Sequence, residues 1–101
     1  MKCFEDLELY VQCREFRKSI SVLAKSFPIE EKYKLIDQII RSSRSIAANI
    51  SEGHGRFHYQ ENIQFCRLSR GSLMETLDHL ICAYDESYIT DAQLREYRFH
   101  Y

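Results

Sequence analysis

Apolar residues recur along most of the chain at alternating steps of three and four, which is the spacing of one face of an α-helix. From Asp6 to Phe27 this stripe consists of Tyr10, Cys13, Phe16, Ile20, Leu23 and Phe27. A second stripe, with small residues interleaved, consists of Ile36, Ile39, Ile40, Ser43, Ile46, Ala47 and Ile50. A third, from about Tyr59 to Tyr84, consists of Phe65, Leu68, Ser72, Leu73, Leu77, Leu80, Ile81 and Tyr84. The pattern predicts three long amphipathic helices.

Residues typical of turns and helix ends separate these stripes. Pro28 cannot donate a backbone hydrogen bond and favours the first turn of a helix, so it predicts a break and a restart through Ile29. Gly53 and Gly55 follow the second stripe, where glycine commonly supplies the left-handed conformation that ends a helix. Thr90, with a glutamine three positions later, is a capping-box pattern that predicts the start of a short fourth helix.

These elements predict an all-α protein, an antiparallel up-and-down four-helix bundle with a short or truncated fourth helix. The length of 101 residues fits a single domain spanning residues 1–101. Three long apolar stripes need a full-length fourth partner. We therefore expect either that another subunit supplies the cover, which makes the protein a homo-oligomer, or that a groove stays open.

The spacing of the cysteines indicates the cellular compartment in which the protein is expected. Cys3, Cys13, Cys66 and Cys82 are scattered and form no closely spaced pair, which favours reduced thiols and a cytoplasmic location. The apolar runs are far shorter than the ~20 residues that cross a bilayer, so no membrane partner is predicted. No pattern in the chain indicates a cofactor.

Charge is unevenly distributed along a chain whose formal net charge is -1. The central part is rich in arginines that few acidic residues accompany: Arg41, Arg44, Arg56, Arg67 and Arg70. The part that follows is acidic: Glu75, Asp78, Asp85, Glu86, Asp91 and Glu96. The guanidinium group binds phosphate through two parallel hydrogen bonds, so the five arginines are candidate nucleic-acid ligands. The alternatives are a solvated helix face or salt bridges to the acidic part of a neighbouring subunit.

Two spacings suggest chemistry, but neither is sufficient to assign a site. His54, His58 and Glu61 would resemble metal ligands on one continuous helix, yet a glycine interrupts that segment, and no metal site is predicted. Arg95 and His100 have a spacing found in some all-helical ribonucleases, where such a pair acts on a phosphodiester. Because only these two residues match, no catalytic residue is assigned and the protein is not predicted to be an enzyme.

Four further residues are interpreted as structural. Gly53 is expected to end the second helix, and Asn49 and Glu52 to satisfy backbone or neighbouring polar groups. Gly71 costs about 1 kcal/mol against alanine within a helix, which predicts close packing against another helix at that point.

Three stretches carry a resemblance to a known family: LIDQIIRSSRSIAANISEGHGR from Leu35, FEDLELYVQCREF from Phe4, and FCRLSRGSLMETLDHL from Phe65. They resemble the small four-helix bundle proteins encoded within intervening sequences of bacterial 23S ribosomal RNA genes. Tyr10 stands where the family commonly has tryptophan and Ala47 where it often has proline. The chain stops after REYRFHY, whereas family members usually continue through a long fourth helix.

The resemblance implies an up-and-down bundle, often a homopentamer, with no established enzymatic activity. A related group serves as accessory protein to the reverse transcriptase of diversity-generating retroelements and associates with nucleic acid. The resulting hypothesis is a non-enzymatic, self-associating bundle that binds RNA or a ribonucleoprotein through the arginine-rich second and third helices. A purely structural oligomer and a small ribonuclease are the alternatives.

Overall fold

A computed structural model describes residues 7–55 and 59–99, and every regular element in these ranges is helical. The α-helices are α1 (Glu8–Ala24), α2 (Leu35–His54), α3 (Tyr59–Asp85) and α4 (Asp91–Phe99), and a 3₁₀ helix covers Ile29–Glu31. The all-α bundle with a short fourth helix is thus confirmed.

The connection from α1 to α2 is longer than the apolar stripe indicates. α1 ends at Ala24, and the amides of Lys25, Ser26 and Phe27 then donate to carbonyl oxygens three residues earlier, which tightens the last turn. Phe27 still reaches the core, although it lies beyond the helix. α2 begins only at Leu35, after the 3₁₀ helix that follows Pro28.

The core lies around α2, which packs against both α1 and α3, whereas no described Cα atoms of α1 and α3 lie within 8 Å of each other. One cluster of buried apolar side chains joins the elements: Phe16, Ile20, Leu23, Ala24, Phe27, Leu35, Ile39, Ile46, Leu80, Ala83, Ile89 and Leu94. α1 packs on α2, and α2 packs on α3. α4 takes the fourth position of the bundle, where it contacts α3 and α1.

A row of hydroxyl groups holds α2 and α3 together. Ser69 Oγ donates a hydrogen bond of 2.7 Å to the carbonyl oxygen of Ile46. The hydroxyl oxygens of Ser72 and Ser45 are 2.9 Å apart, and those of Thr76 and Ser42 are 2.8 Å apart. Small side chains that satisfy one another's polar groups allow the two antiparallel helices to pack closely.

Gly53 and Gly71 both differ from their predicted roles. Gly53 lies in the last turn of α2 and is buried; the helix ends near the predicted position, at His54, but no described glycine has a positive φ, so the expected left-handed conformation is wrong. A Cβ on Gly53 would lie 2.8 Å from the Cβ of Phe65, which makes Gly53 the point of close approach to α3. Gly71 is exposed, and a Cβ there would meet nothing within 4 Å, so the predicted close packing at Gly71 is also wrong.

The face that α3 buries matches the predicted one only in part: Leu80 is buried, and Phe65, Ser72, Leu73 and Leu77 are half-buried. Leu68, Ile81 and Tyr84 were expected inside, but they are 49%, 37% and 40% exposed. Ser69 and Thr76 are buried in their place. The reason is that α3 packs on the serine-rich side of α2, where hydroxyl groups find partners, and this orientation leaves an apolar flank of α3 facing outward.

The turn from α3 into α4 is well defined. Ser87 adopts the left-handed conformation (φ 64°) that glycine usually supplies, and the Tyr88 amide donates to the Ala83 carbonyl oxygen at 2.8 Å, as in a Schellman motif. The predicted capping box is confirmed, because the Thr90 amide donates to Gln93 Oε1 at 2.8 Å and the Gln93 amide to Thr90 Oγ1 at 3.2 Å. α4 then packs its Tyr97 ring edge-on against Phe16 of α1.

Candidate functional surfaces

The arginines form two pairs on different helices. Arg41 and Arg44 are one turn apart on α2, and Arg67 and Arg70 are one turn apart on α3; all four are exposed. Arg56, the fifth candidate, lies outside the described residues. Arg67 precedes the buried Thr76 by nine positions, which places it about 180° around α3 and so directed away from α2. The structure therefore brings the arginines together within each pair and places the two pairs on the outer sides of two helices.

The four described arginines also differ in their partners. Arg41 Nε lies 3.1 Å from Asp37 Oδ2, one turn earlier on α2, so its charge is already paired. No described acidic side chain lies within ion-pair distance of Arg44, Arg67 or Arg70. These three guanidinium groups are open to an anionic partner.

Negatively charged side chains surround the C-terminal end of α3. The hydrogen bond that Tyr88 donates to the Glu31 carboxylate, at 2.9 Å, is the main cause that raises the pKa of Tyr88 to about 12. Partial burial, followed by the negative charges of Glu86 and Glu31, raises the pKa of the Cys82 thiol. Burial likewise raises the pKa of the Cys13 thiol. A raised pKa keeps a thiol protonated at neutral pH, so neither cysteine is an activated nucleophile.

Of the residues considered for metal binding or catalysis, the structure describes His54, Glu61 and Arg95. α2 ends at His54 and Glu61 lies on α3, so these two residues are on different helices. His58 and His100 lie outside the described residues. Within the described ranges, no three His, Cys, Asp or Glu side chains are placed to hold a metal ion. Arg95 is paired with Asp91 at 2.7 Å.

Asn49 and Glu52 lie near the C-terminal end of α2. Asn49 Nδ2 donates to the Ser45 carbonyl oxygen at 2.9 Å and to Ser45 Oγ at 3.0 Å, which ties it to the hydroxyl row between α2 and α3. Glu52 is exposed.

A shallow cavity of about 530 Å³ lies at the turn between α3 and α4. It is lined by Tyr84, Asp85, Ser87, Tyr88, Ile89 and Thr90. The lining contains no histidine, cysteine or basic residue.

Comparison with known proteins identifies the family. Residues 5–101 match the sequence model of the family described as 23S rRNA-intervening sequence protein. The chain belongs to this family. No curated protein matches the chain significantly. In this member of the 23S rRNA-intervening sequence proteins, none of the described helices is long and apolar enough to cross a membrane.

The clearest unpartnered feature of this family member is the outward flank of α3. Met74, Ile81 and Tyr84 are all exposed and, at 100° per residue, lie within an arc of about 80° that also includes the half-buried Leu77. α4 has nine residues against 27 in α3, and covers only the last part of its length. The flank is therefore a contiguous apolar strip, not a set of scattered single side chains.

Proposed function

We propose that this protein is a non-enzymatic helical bundle that associates with copies of itself and binds RNA through exposed arginines. The observation that carries the proposal is the apolar strip on α3, formed by Met74, Leu77, Ile81 and Tyr84. Contiguous apolar surface on a small soluble protein usually marks an interaction site. A second copy of the chain is the occupant favoured here, because Met74 and Ile81 stay exposed in the described bundle and a second copy presents an equally apolar strip.

Sedimentation velocity over a concentration series tests the self-association. The double variant Met74→Gln and Ile81→Gln keeps helix-forming side chains but removes the apolar strip, so we expect it to shift the protein toward monomer. Leu68→Gln is the matched control, since Leu68 is an exposed apolar residue about 120° away from Met74 on the same helix. A wild-type protein that stays monomeric at tens of micromolar, about the range where weak assemblies form, would refute the proposal. The number of subunits, for which the sequence resemblance implies five, follows from the same measurement.

RNA binding is supported by the open guanidinium groups of Arg44, Arg67 and Arg70. Such groups bind phosphate in a fork-like geometry, and repetition of the pairs in an oligomer would add avidity to a weak contact. Arg41 and Arg56 were candidates on sequence grounds. Arg41 is the weaker contributor, because binding RNA would compete with its ion pair to Asp37.

A filter-binding assay against structured and single-stranded RNA across a salt series tests this part. Arg67→Gln with Arg70→Gln removes two open charges, whereas the control, Arg41→Gln with Arg95→Gln, removes two that are paired within the chain. We expect weaker binding and a salt slope shallower by about 1 to 2 for the first variant only, since each phosphate contact contributes about 0.7 to 0.9 to the slope. Equal effects of the two variants would show that the open arginines have no special role. A purely structural oligomer would then be favoured.

A further inference from the structure

The outer face of α1 carries exposed residues that its role in the core does not explain. Val22 is 68% exposed and Val11 is 44% exposed, although both are on a helix whose opposite side buries Ile20. Glu15 and Lys18 lie between them on the same face, and both are exposed. The face continues to two further exposed charges, Glu8 in the first turn and Lys25 at the C-cap, which keeps helical geometry.

These residues follow the spacing of a coiled-coil seam. They are separated by steps of three and four residues and fall within an arc of about 100°, as the positions that meet a partner helix do. The seam reads Glu8, Val11, Glu15, Lys18, Val22, Lys25. Its acidic residues all precede its basic ones, and its two valines are placed symmetrically about the centre.

This order makes the seam complementary to itself when two copies run antiparallel. Glu8 then lies opposite Lys25 of the second copy, Val11 opposite Val22, and Glu15 opposite Lys18. A shift by seven residues in either direction would place a valine opposite a charge, and a parallel arrangement would place each charge opposite its own copy. Only one alignment therefore satisfies the seam throughout.

We infer that the outer face of α1 is a contact surface for a second copy of this chain, arranged antiparallel about a two-fold axis near the middle of α1. The inference rests on the proposed self-association but uses a different helix from the strip on α3. The ion pair between Lys18 and Glu15 within one helix, at 3.6 Å, is exposed and costs little to exchange for pairs across the contact. Two single helices bury less than the ~1,600 Å² of a standard interface, so the contact is weak and gains from a second one in the same assembly.

Charge reversal tests the contact. Glu15→Lys places lysine opposite Lys18 of the second copy, and Lys18→Glu places glutamate opposite Glu15, so each variant should self-associate about tenfold more weakly than wild type through this contact. An equimolar mixture of the two variants restores opposite charges in every pair. We expect heteromers in the mixture to exceed the statistical fraction, as measured by native mass spectrometry with one variant isotopically labelled, and this excess to disappear in 1 M salt.

The control pair is Glu96→Lys and Lys32→Glu, which carries the same charge changes on exposed positions away from α1. Its mixture should show no excess of heteromers. Val22→Gln should also weaken the contact, although glutamine is the better helix former. If the mixture of the Glu15→Lys and Lys18→Glu variants shows no more heteromers than the control mixture, the contact on α1 is overturned. Continued association of the wild type would in that case leave the proposed function standing. A wild type that is monomeric throughout would overturn both.

Discussion

Replacing Gly53 with alanine adds a methyl group where α2 and α3 are closest. The new Cβ would lie 2.8 Å from the Cβ of Phe65 and 2.9 Å from Asn62 Oδ1. The amide of Asn62 can rotate away, but the Cβ of Phe65 moves only with the backbone of α3. Forcing extra atoms into a packed contact costs about 1 to 3 kcal/mol, and the better helix propensity of alanine offsets part of this near a helix end. We expect a net destabilisation of about 1 to 2 kcal/mol.

Gly71 provides the matched comparison, because the same change there meets no atom within 4 Å. Gly71→Ala should stabilise the protein by about 0.5 to 1 kcal/mol through helix propensity alone. Urea unfolding followed by circular dichroism measures both variants, at one protein concentration because association adds to apparent stability. For a chain of this size, 1 kcal/mol corresponds to about 4 to 8 °C in Tm. Equal stabilisation by both substitutions would refute the close approach of α2 and α3 at Gly53.

Two further substitutions test the polar contacts of the bundle. Thr76→Val keeps the shape of a buried side chain but leaves the Ser42 hydroxyl without its partner across the helices, so it should lower the free energy of unfolding by about 1 to 2 kcal/mol in urea; no loss would mean that the hydroxyl row does not join the helices. For Tyr88, the hydrogen bond to Glu31 raises the pKa to about 12, above the value of about 10 in the unfolded chain. The contribution of this bond is therefore complete below pH 10 and disappears as the pH rises to 12. The difference in unfolding free energy between wild type and Tyr88→Phe should close over that window, and a constant difference would contradict the assignment.

The sequence predicts the helices of this protein better than the sides by which they pack. Periodicity and turn residues place α1, α2, α3 and α4, and the Thr90 capping box is found where the spacing indicates it. Hydrophobicity misplaces part of the inner face of α3, because Ser69 and Thr76 are buried once their hydroxyl groups are bonded. Gly53 and Gly71 also differ from their predicted roles, because a glycine in a helix marks either a close contact or an open surface, and only the packing decides which.

The spacing of charged residues in the sequence predicts which arginines of the candidate surfaces are paired. Arg41 follows Asp37 by four positions, the spacing of an ion pair on a helix, and the structure contains that pair. Arg44, Arg67 and Arg70 have no acidic residue three or four positions away, which agrees with their open state. The separation of the arginines into two outward pairs cannot be predicted from spacing, because it depends on the orientation of α3 against α2.

The hydroxyl-lined contact between α2 and α3 has a consequence for assembly. Because small polar side chains occupy that contact, the larger apolar residues of α3 are left on the flank where Met74 and Ile81 are exposed. The proposed second contact lies on α1, the other helix that packs against α2. A subunit with one self-complementary surface stops at a dimer, whereas a subunit with contact surfaces on two different helices can join two neighbours at once. If both surfaces function, substitution at either one should shift the protein toward smaller species, and substitution at both should leave the monomer.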